Sequence, residues 1–157
     1  MGKITYVIGD ATAPQTPGPK MIIHICNDIG AWGKGFVLAV SRRWPQIKRY
    51  YREWYQTKSD FRLGAIQSIQ VNSDIWVVNM IGQKGIRHTK AGPPIRYQAL
   101  EQCLSKIAEG AKELGASIHM PRIGSGLAGG DWVKIEPIIS RQLCNKGLAV
   151  YVYDIRI

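Results

Sequence analysis

The sequence lacks the features of a secreted, membrane-spanning or zinc-binding protein. Its three cysteines, Cys26, Cys103 and Cys144, show no C-x-x-C spacing and cannot all pair within one chain. Each lies in an apolar stretch, which favours buried free thiols in a reducing compartment. The start at Met1 shows no long apolar region with a cleavage site, and no apolar run approaches a membrane span. We therefore expect a cytoplasmic protein with no membrane partner.

Histidine is also scarce, and its three occurrences form no recognisable metal-ligand pattern. His24 lies inside an apolar run, which favours a hydrogen-bonded core residue. His88 and His119 have no metal-ligand spacing with any cysteine or carboxylate. The sequence therefore predicts no metal site, and no cofactor is expected.

Acidic residues are few relative to basic ones. The chain has 11 Asp and Glu against 21 Lys and Arg, which gives a formal net charge of +10. Such a balance favours nucleic acid, phosphorylated ligands or an acidic membrane surface as partners. A solvated basic surface explains the same number. The charge thus indicates an anion without identifying it.

The length and patterning predict a single α/β domain over residues 1–157. At 157 residues and 45% hydrophobic content the chain can bury a real core, and it has no internal repeat, linker or low-complexity segment. Short β-rich runs alternate with helical patterns. The predicted strands cover residues 4–8, 21–26, 65–71, 75–80, 117–120 and 149–153.

The helical patterns complete a three-layer arrangement. Apolar residues recur at intervals of three and four over residues 100–114 and 133–143, and residues 36–44 also read as a helix. Pro45 suits the first position of a further helix. The close pair of strands at 65–71 and 75–80 predicts a hairpin. The fold class is therefore α/β, with helices on both faces of a mixed sheet of about six strands.

Two glycine-rich stretches follow predicted strands and lead into predicted helices. They are residues 30–35 and residues 124–129, and the second has the spacing G-x-G-x-x-G. In open α/β sheets ligands bind beyond the carboxyl ends of the strands. Glycines expose backbone N–H groups, which form an anion site together with a helix N-terminus. Two such loops side by side would suit a diphosphate.

The G-x-G-x-x-G spacing also allows a nicotinamide-dinucleotide fingerprint or a glycine turn without function. Asp154 even lies near the distance expected for a ribose-binding acid. A dinucleotide fold needs several more strands, however, and only three residues follow Asp154. The dinucleotide interpretation is therefore disfavoured.

These loops belong to a set of motifs that resembles the macrodomain family, whose α/β modules bind ADP-ribose. The motifs are GDAT at 9–12, HICNDIGAWGKGF at 24–36, RRWP at 42–45, VVNMIGQKG at 77–85, ALEQCL at 99–104 and ASIHMPRIGSGL at 116–127. They are most similar to the branch containing the chromatin-remodeller macrodomain, the terminal ADP-ribose-protein glycohydrolase and the yeast ADP-ribose-1″-phosphate phosphatase. The resemblance implies that ADP-ribose or an ADP-ribosylated macromolecule is the partner.

The resemblance also implies roles for individual residues. Asp10 corresponds to the acid that accepts a hydrogen bond from the adenine amino group, although an Asp at this place also caps turns. Trp32 corresponds to a wall near the distal ribose. Backbone amides of the two glycine loops would hold the diphosphate. The full expected ligand-binding set is Gly9, Asp10, Ala11, Trp32, Gly33, Lys34, Gly35, Phe36, Met80, Ile81, Gln83, Arg122, Ile123, Gly124, Ser125, Gly126, Leu127, Ala128 and Tyr153.

Catalysis is less clearly implied than binding. Hydrolytic relatives in this branch are associated with a lysine after the fourth strand and an aspartate after the second glycine loop. Gln83 and Ala128 correspond to these two positions. A glutamine cannot form a Schiff base and an alanine cannot transfer a proton, so lysine-dependent catalysis is disfavoured. Lys84, one residue late, and Asp131, three residues late, are the nearest substitutes.

Hydrolysis of ADP-ribose-1″-phosphate or of an ADP-ribosyl ester remains an alternative to binding alone. Its candidate catalytic residues are Asn27, Asp28 and Asp131. Asp28 would orient or activate a water at the distal ribose, with loop amides stabilising negative charge. The competing interpretation is that Asp28 caps the following helix.

A third hypothesis is a nucleic-acid-binding module without ADP-ribose activity. Residues 42–62 hold seven Lys and Arg against Glu53 and Asp60, interleaved with six aromatic residues. Such a mixture can bind phosphates and stack bases. It is also typical of an amphipathic helix with aromatic residues packed inward and cations in water.

Overall fold

The computed structural model describes residues 2–155 and contains six strands and four helices around one sheet; Met1, Arg156 and Ile157 lie outside the described residues. In chain order the elements are β1 (Ile4–Ile8), β2 (Lys20–Asn27), α1 (Phe36–Arg43), α2 (Pro45–Thr57), β3 (Ile66–Gln70), β4 (Ile75–Gln83), α3 (Tyr97–Leu114), β5 (Ser117–Pro121), α4 (Trp132–Gln142), a 3-10 turn (Cys144–Lys146) and β6 (Val150–Asp154). The predicted α/β class with a mixed sheet is confirmed. No helix in this described range is both long enough and apolar enough to cross a membrane.

The sheet has the strand order β1-β6-β5-β2-β4-β3. Every neighbouring pair is parallel except β3 and β4, which form the predicted antiparallel hairpin. Five strands therefore present their carboxyl ends at one edge of the sheet. Parallel strands of this kind place their following loops side by side, which makes that edge the expected binding site.

Two hydrophobic clusters cover the two faces of the sheet. On β2, Met21 and Ile23 pack into the cluster under α3 and α4, whereas Ile22 and Cys26 pack into the cluster under α1 and α2. Burial on both faces explains why β2 reads as a continuous apolar run instead of alternating. All three cysteines are buried, as the sequence predicts.

Local chemistry sets the main element boundaries. Trp44 separates α1 from α2 with φ −136° and ψ 83°, because the residue before a proline avoids the helical region and Pro45 then opens α2. Strand β4 runs three residues beyond the predicted end at Met80. Its pairing with β2 continues to Asn27 opposite Gln83, with an irregularity between Cys26 and Asn27.

Candidate functional site

The loops at the carboxyl edge lie in a linear order set by the strand order. Asp10 follows β1, residues 122–131 (the second loop) follow β5, residues 28–35 (the first loop) follow β2, and residues 84–96 (the β4–α3 segment) follow β4. Four strand spacings separate β1 from β4, which is about 19 Å. The edge therefore offers an elongated cleft with the two glycine loops near its middle.

Asn27 organises the first loop from the last residue of β2. Its Oδ1 accepts hydrogen bonds from the N–H groups of Ile29 and Ala31, both at 3.0 Å, and its Nδ2 donates to the carbonyl of Ala31 at 2.7 Å. The Tyr51 hydroxyl donates to the Asn27 backbone carbonyl at 2.6 Å and to its Oδ1 at 2.9 Å. Asn27 is buried, so this network fixes the loop.

The second loop is a compact turn built on glycine. Gly124 has φ +74°, and the N–H of Gly130 donates to its carbonyl at 2.6 Å. A Cβ at Gly124 would lie 2.5 Å from Ile95 Cδ1, so only glycine fits without displacement. The Ala128 carbonyl accepts from Ile95 N–H at 3.1 Å, which joins this loop to the β4–α3 segment.

The two loops face each other across the cleft with unused backbone donors. A Cβ on Gly35 would lie 3.3 Å from Leu127 Cδ1, so their tips are in near contact. The N–H groups of Gly33, Lys34, Gly35, Gly126 and Leu127 have no acceptor among residues 2–155, and all five residues are exposed. Helix α1 begins directly after Gly35 and has no acidic residue in its first turn. The arrangement can therefore hold an anionic group through backbone N–H donors.

Asp10 marks the β1 end of the cleft. Its Oδ1 accepts from the Thr12 N–H at 2.8 Å and from the Thr12 hydroxyl at 2.7 Å, so it forms the turn that one interpretation of this residue predicts. Its Oδ2 forms no hydrogen bond among residues 2–155 and lies 3.8 Å from Arg43 Nη2. Asp10, Thr12 and Arg43 line a cavity of about 240 Å³ with Ala39 and Arg42. One carboxylate oxygen thus stays available to a hydrogen-bond donor.

Trp32 does not form a wall of the cleft, contrary to the sequence-based expectation. Its side chain is only 3% exposed and lies in the core under α1 and α2. The indole N–H donates to Ser41 Oγ, and the ring centroid lies 5.3 Å from that of Tyr51. Trp32 therefore packs in the core beneath α1 and α2 and does not face the cleft.

Several other residues of the expected ligand-binding set cannot offer their side chains. Tyr153 is buried, and its hydroxyl is 2.7 Å from His119 Nδ1. Phe36 is half-buried, packs against the core under α1 and α2, and lies against the ring of His24. The side chains of Ala11, Met80, Ile81, Ile123 and Ala128 are also buried, so any ligand contact of these residues is expected through the backbone and stays a prediction. Residue spacing alone does not reveal which face of a strand or turn is covered.

Arg122, the first residue of the second loop, forms an ion pair with Asp154. Its Nε and Nη2 bond the two carboxylate oxygens of Asp154 at 2.6 and 2.9 Å. The guanidinium also lies 5.0 Å from the ring centroid of Tyr6 and 5.2 Å from that of Trp132. This bidentate contact lowers the pKa of Asp154. Arg122 thus anchors the start of the second loop, and its expected ligand contact stays a prediction.

The remaining members of the expected set lie at the cleft. Gly9 donates its N–H to the Asp154 carbonyl at 2.9 Å, and Ser125 Oγ donates to the Arg122 carbonyl at 2.8 Å. Lys34 is exposed on the first loop. Gln83 lies at the end of β4, where its Nε2 donates to the Gly85 carbonyl at 2.9 Å.

The three candidate catalytic residues have different surroundings. Asn27 has both polar side-chain atoms engaged by the first loop. Asp131 caps α4, since its Oδ1 accepts from Val133 N–H at 3.0 Å. Asp28 does not cap α1; its Oδ1 instead accepts from Gly85 N–H at 2.8 Å, and its Oδ2 has no partner among residues 2–155. Asp28 and Asp131 each keep one carboxylate oxygen without a partner among residues 2–155, but Asp28 lies in the first loop and is bonded to the β4–α3 segment, whereas Asp131 caps a helix.

The β4–α3 segment is the part of the site that the sequence interpretation missed. Gly85 contacts Asp28 of the first loop, and His88 lies against Gly129 of the second loop. The segment thus closes the β4 end of the cleft. A signal was present, because Lys84, Arg87 and Lys90 occur in a stretch with no acidic residue between Asp74 and Glu101.

The basic stretch at residues 42–62 favours the amphipathic-helix interpretation. Tyr51 is fully buried, and Trp54 and Phe61 pack edge to face with ring centroids 4.9 Å apart. Tyr50 is 41% exposed, and the Arg49 guanidinium lies over its ring. Most of these aromatic rings are therefore used in packing, while six of the seven cations are exposed and Lys48 is half-buried.

Buried titratable side chains lie beneath the site and are held in their uncharged forms. Burial lowers the pKa of His24 to about 4, and its Nε2 hydrogen-bonds Asn79, which confirms the predicted core role. Burial, with a smaller contribution from Lys20, also lowers the pKa of His119 to about 4. Burial raises the pKa of the Cys26 thiol, which disfavours the reactive thiolate form. Residues 2–155 contain no group of three or more His, Cys, Asp or Glu that could hold a metal ion.

Comparisons with known proteins identify relatives over nearly the whole chain. No protein-family model matches the sequence. The chromodomain-helicase-DNA-binding protein 1-like of Danio rerio is 31% identical over 98% of this chain, which spans only 16% of that protein's length. An ADP-ribose 1″-phosphate phosphatase of Lodderomyces elongisporus is 26% identical over 96% of this chain and 99% of that protein.

A solved structure gives the family. A macrodomain protein from Streptomyces coelicolor is 55% identical, with a TM-score of 0.87 over 97% of this chain and 99% of that one. A sequence identity of 55% over almost the full length of both chains, together with the shared fold, shows that the two proteins belong to the same family. The chain belongs to the macrodomains.

Proposed function

We propose that this protein binds ADP-ribose or an ADP-ribosyl group in the cleft at the carboxyl edge of the sheet. One observation carries the proposal: two glycine loops face each other with exposed, unpartnered N–H donors at Gly33, Lys34, Gly35, Gly126 and Leu127. A diphosphate is the group that such a pair of donor sets fits. Asp10 lies on the β1 side and Gln83 on the β4 side, so a nucleoside and a second sugar have room at either end.

Asp10 supplies the selectivity for adenine. Its Oδ2, free of the turn to Thr12, accepts from the exocyclic amino group of adenine, which hypoxanthine replaces with an acceptor oxygen. The name of the Lodderomyces relative supports an ADP-ribose derivative as ligand.

Calorimetry with four ligands tests this proposal. We expect ADP-ribose to bind more tightly than adenosine, ATP or the hypoxanthine analogue of ADP-ribose. The Asp10→Asn variant keeps an Oδ1 for the turn to Thr12 but presents an amide N–H₂ in place of Oδ2. It should therefore lose the preference for adenine over hypoxanthine, with little change in the melting temperature. Equal binding of ADP-ribose and ATP by the wild type would refute the proposal.

Hydrolysis is a second candidate function, favoured by the open Oδ2 of Asp28. In this reaction a water oxygen attacks the phosphorus of ADP-ribose-1″-phosphate while Asp28 takes one proton from that water. The bond between phosphorus and the C1″ oxygen breaks, the ribose oxygen takes a proton from solvent, and inorganic phosphate leaves. Backbone N–H donors would stabilise the charge that develops.

Phosphate release from ADP-ribose-1″-phosphate measures this activity directly. We expect Asp28→Ala to abolish release while retaining ADP-ribose binding, and Asp131→Asn to retain both, since an asparagine still caps α4. No release by the wild type would leave binding as the function, whereas release that survives in Asp28→Ala would show that Asp28 is not the base.

A further inference from the structure

Three exposed cations stand at the β4 end of the cleft without a counterion. Lys84, Arg87 and Lys90 are all exposed, and none of them forms an ion pair with another described residue. No Asp or Glu occurs between Asp74 and Glu101, and the one carboxylate that contacts the segment among the described residues, Asp28 at Gly85 N–H, leaves an excess of positive charge. Such a cluster attracts a multiply charged anion.

The backbone that carries these cations is fixed by hydrogen bonds. Lys84 N–H donates to the Pro94 carbonyl at 2.8 Å, and Thr89 and Gly92 exchange two backbone hydrogen bonds of 2.9 Å. Arg96 Nη1 donates to the carbonyls of Pro93, Pro94 and Ile95 and so fixes the backbone of residues 93–95. Arg96 thus has a structural role. The side chains of Lys84, Arg87 and Lys90, in contrast, are free to bind a ligand.

The same segment contacts both phosphate-binding loops. Gly85 N–H donates to Asp28 of the first loop, and Ile95 N–H donates to Ala128 of the second loop. A ligand with adenine at Asp10 and its diphosphate between the loops extends its distal ribose toward β4. Whatever is attached to that ribose therefore meets the β4–α3 segment.

We propose that Lys84, Arg87 and Lys90 form an anion-binding subsite for a phosphate group attached to the distal ribose. This inference rests on the proposed function of the cleft. A carboxyl group that is esterified to ribose has lost its charge and gives three cations no counterpart, whereas a ribose-linked phosphate stays anionic. An arginine and two lysines match phosphate oxygens through charge-assisted hydrogen bonds. The phosphate comes either from free ADP-ribose-1″-phosphate or from the terminal phosphate of a nucleic-acid strand.

Binding measurements on the full chain test the subsite with four probes. They are ADP-ribose, its non-hydrolysable 1″-methylenephosphonate, an oligonucleotide ADP-ribosylated on its terminal phosphate, and a peptide ADP-ribosylated on glutamate. We expect the wild type to bind the phosphonate about tenfold more tightly than ADP-ribose, from three exposed ion pairs. Replacing Lys84, Arg87 and Lys90 with serine should remove this preference and leave ADP-ribose affinity unchanged.

A second triple variant controls for net charge. Replacing Arg52, Lys112 and Lys146 with serine removes the same charge from exposed residues outside the β4–α3 segment and should preserve the preference. If the oligonucleotide binds more tightly than the phosphonate, the strand is the source of the phosphate. Its affinity should then fall with salt, and the slope should decrease by about 0.7 for each phosphate–cation pair that the first variant removes. Equal affinities for the oligonucleotide and the phosphonate would identify the phosphate alone as the recognised group.

Three results would overturn this inference. They are equal wild-type affinity for ADP-ribose and its phosphonate, an unchanged preference in the first variant, and tightest binding of the glutamate-linked peptide. If ADP-ribose binds in those cases, the proposed function survives without the subsite. If the wild type binds none of the probes, the proposed function fails and the subsite fails with it.

Discussion

Asn27 links the core to the first loop through a buried side chain. Its Oδ1 takes three donors, the N–H groups of Ile29 and Ala31 and the hydroxyl of Tyr51, while its Nδ2 donates to the Ala31 carbonyl. The residue thus positions the backbone that leads to Gly33. Sequence reasoning treats it as a catalytic candidate, and its geometry instead supports a positioning role.

Asn27→Ala should lower the free energy of unfolding by about 2 kcal/mol, because it leaves buried donors without acceptors. Asn72→Ala is the matched control. The Asn72 side chain accepts a single backbone N–H, from Asp74, in an exposed turn, and its removal should cost about 0.5 kcal/mol. Urea unfolding measures both values, and equal decreases would contradict the role of Asn27.

Two buried histidines make the stability depend on pH. Burial lowers the pKa of His24 and of His119 from the ordinary value of 6.5 to about 4. Between these values the unfolded chain binds more protons than the folded chain, so stability is complete above pH 6.5 and falls as the pH decreases toward 4.

Each of these histidines should lower the unfolding free energy by about 2 kcal/mol when the pH decreases from 6.5 to 5. Urea unfolding at the two pH values checks this, and His119→Gln should roughly halve the decrease. His88→Gln, at an exposed position, should keep the wild-type dependence. A flat profile for the wild type would mean that neither histidine is held neutral by the fold.

The two glycine loops contain glycines of two kinds. Gly30 and Gly124 have φ values of +75° and +74°, and a Cβ there would meet the Tyr55 ring and the Ile95 side chain. Gly33 and Gly126 have no described atom within 4 Å of an added Cβ. Gly30 and Gly124 therefore determine the shape of the loops, whereas Gly33 and Gly126 border open space at the cleft.

Alanine substitutions should separate these kinds. Gly30→Ala and Gly124→Ala should each lower the unfolding free energy by about 1–3 kcal/mol, since both strain and a clash are introduced. Gly33→Ala and Gly126→Ala should change it by less than about 0.5 kcal/mol. Thermal unfolding of the four variants gives the comparison, and four similar decreases would show that the loops are not built as described.

The elements themselves are largely readable from the sequence, because apolar period and turn residues set them locally. The strand at 21–26, the β3–β4 hairpin and the stop at Trp44 before Pro45 all follow from such signals. The site is less readable. Trp32 lies between small residues and reads as a loop residue, yet contacts with Ser41 and Tyr51 bury it. The bond from Gly85 to Asp28 joins residues 57 positions apart, which no local pattern encodes.

Across the whole molecule, the strand order turns separate loops into one elongated site. Asp10, the second loop, the first loop and the β4–α3 segment follow β1, β5, β2 and β4, and so line up along one edge. The order of the strands along the chain does not predict this spatial order of loops, because β6 and β5 lie between β1 and β2 in the sheet. The positive net charge suits a ligand whose phosphates lie near the middle of that edge.

A crystal structure of the complex with ADP-ribose measures this arrangement most directly. It should place the adenine amino group on Asp10 Oδ2, the diphosphate between residues 33–35 and 124–127, and the distal ribose beside Gln83 and Asp28. Adenine at the β4 end, or ADP-ribose bound away from the two glycine loops, would contradict it.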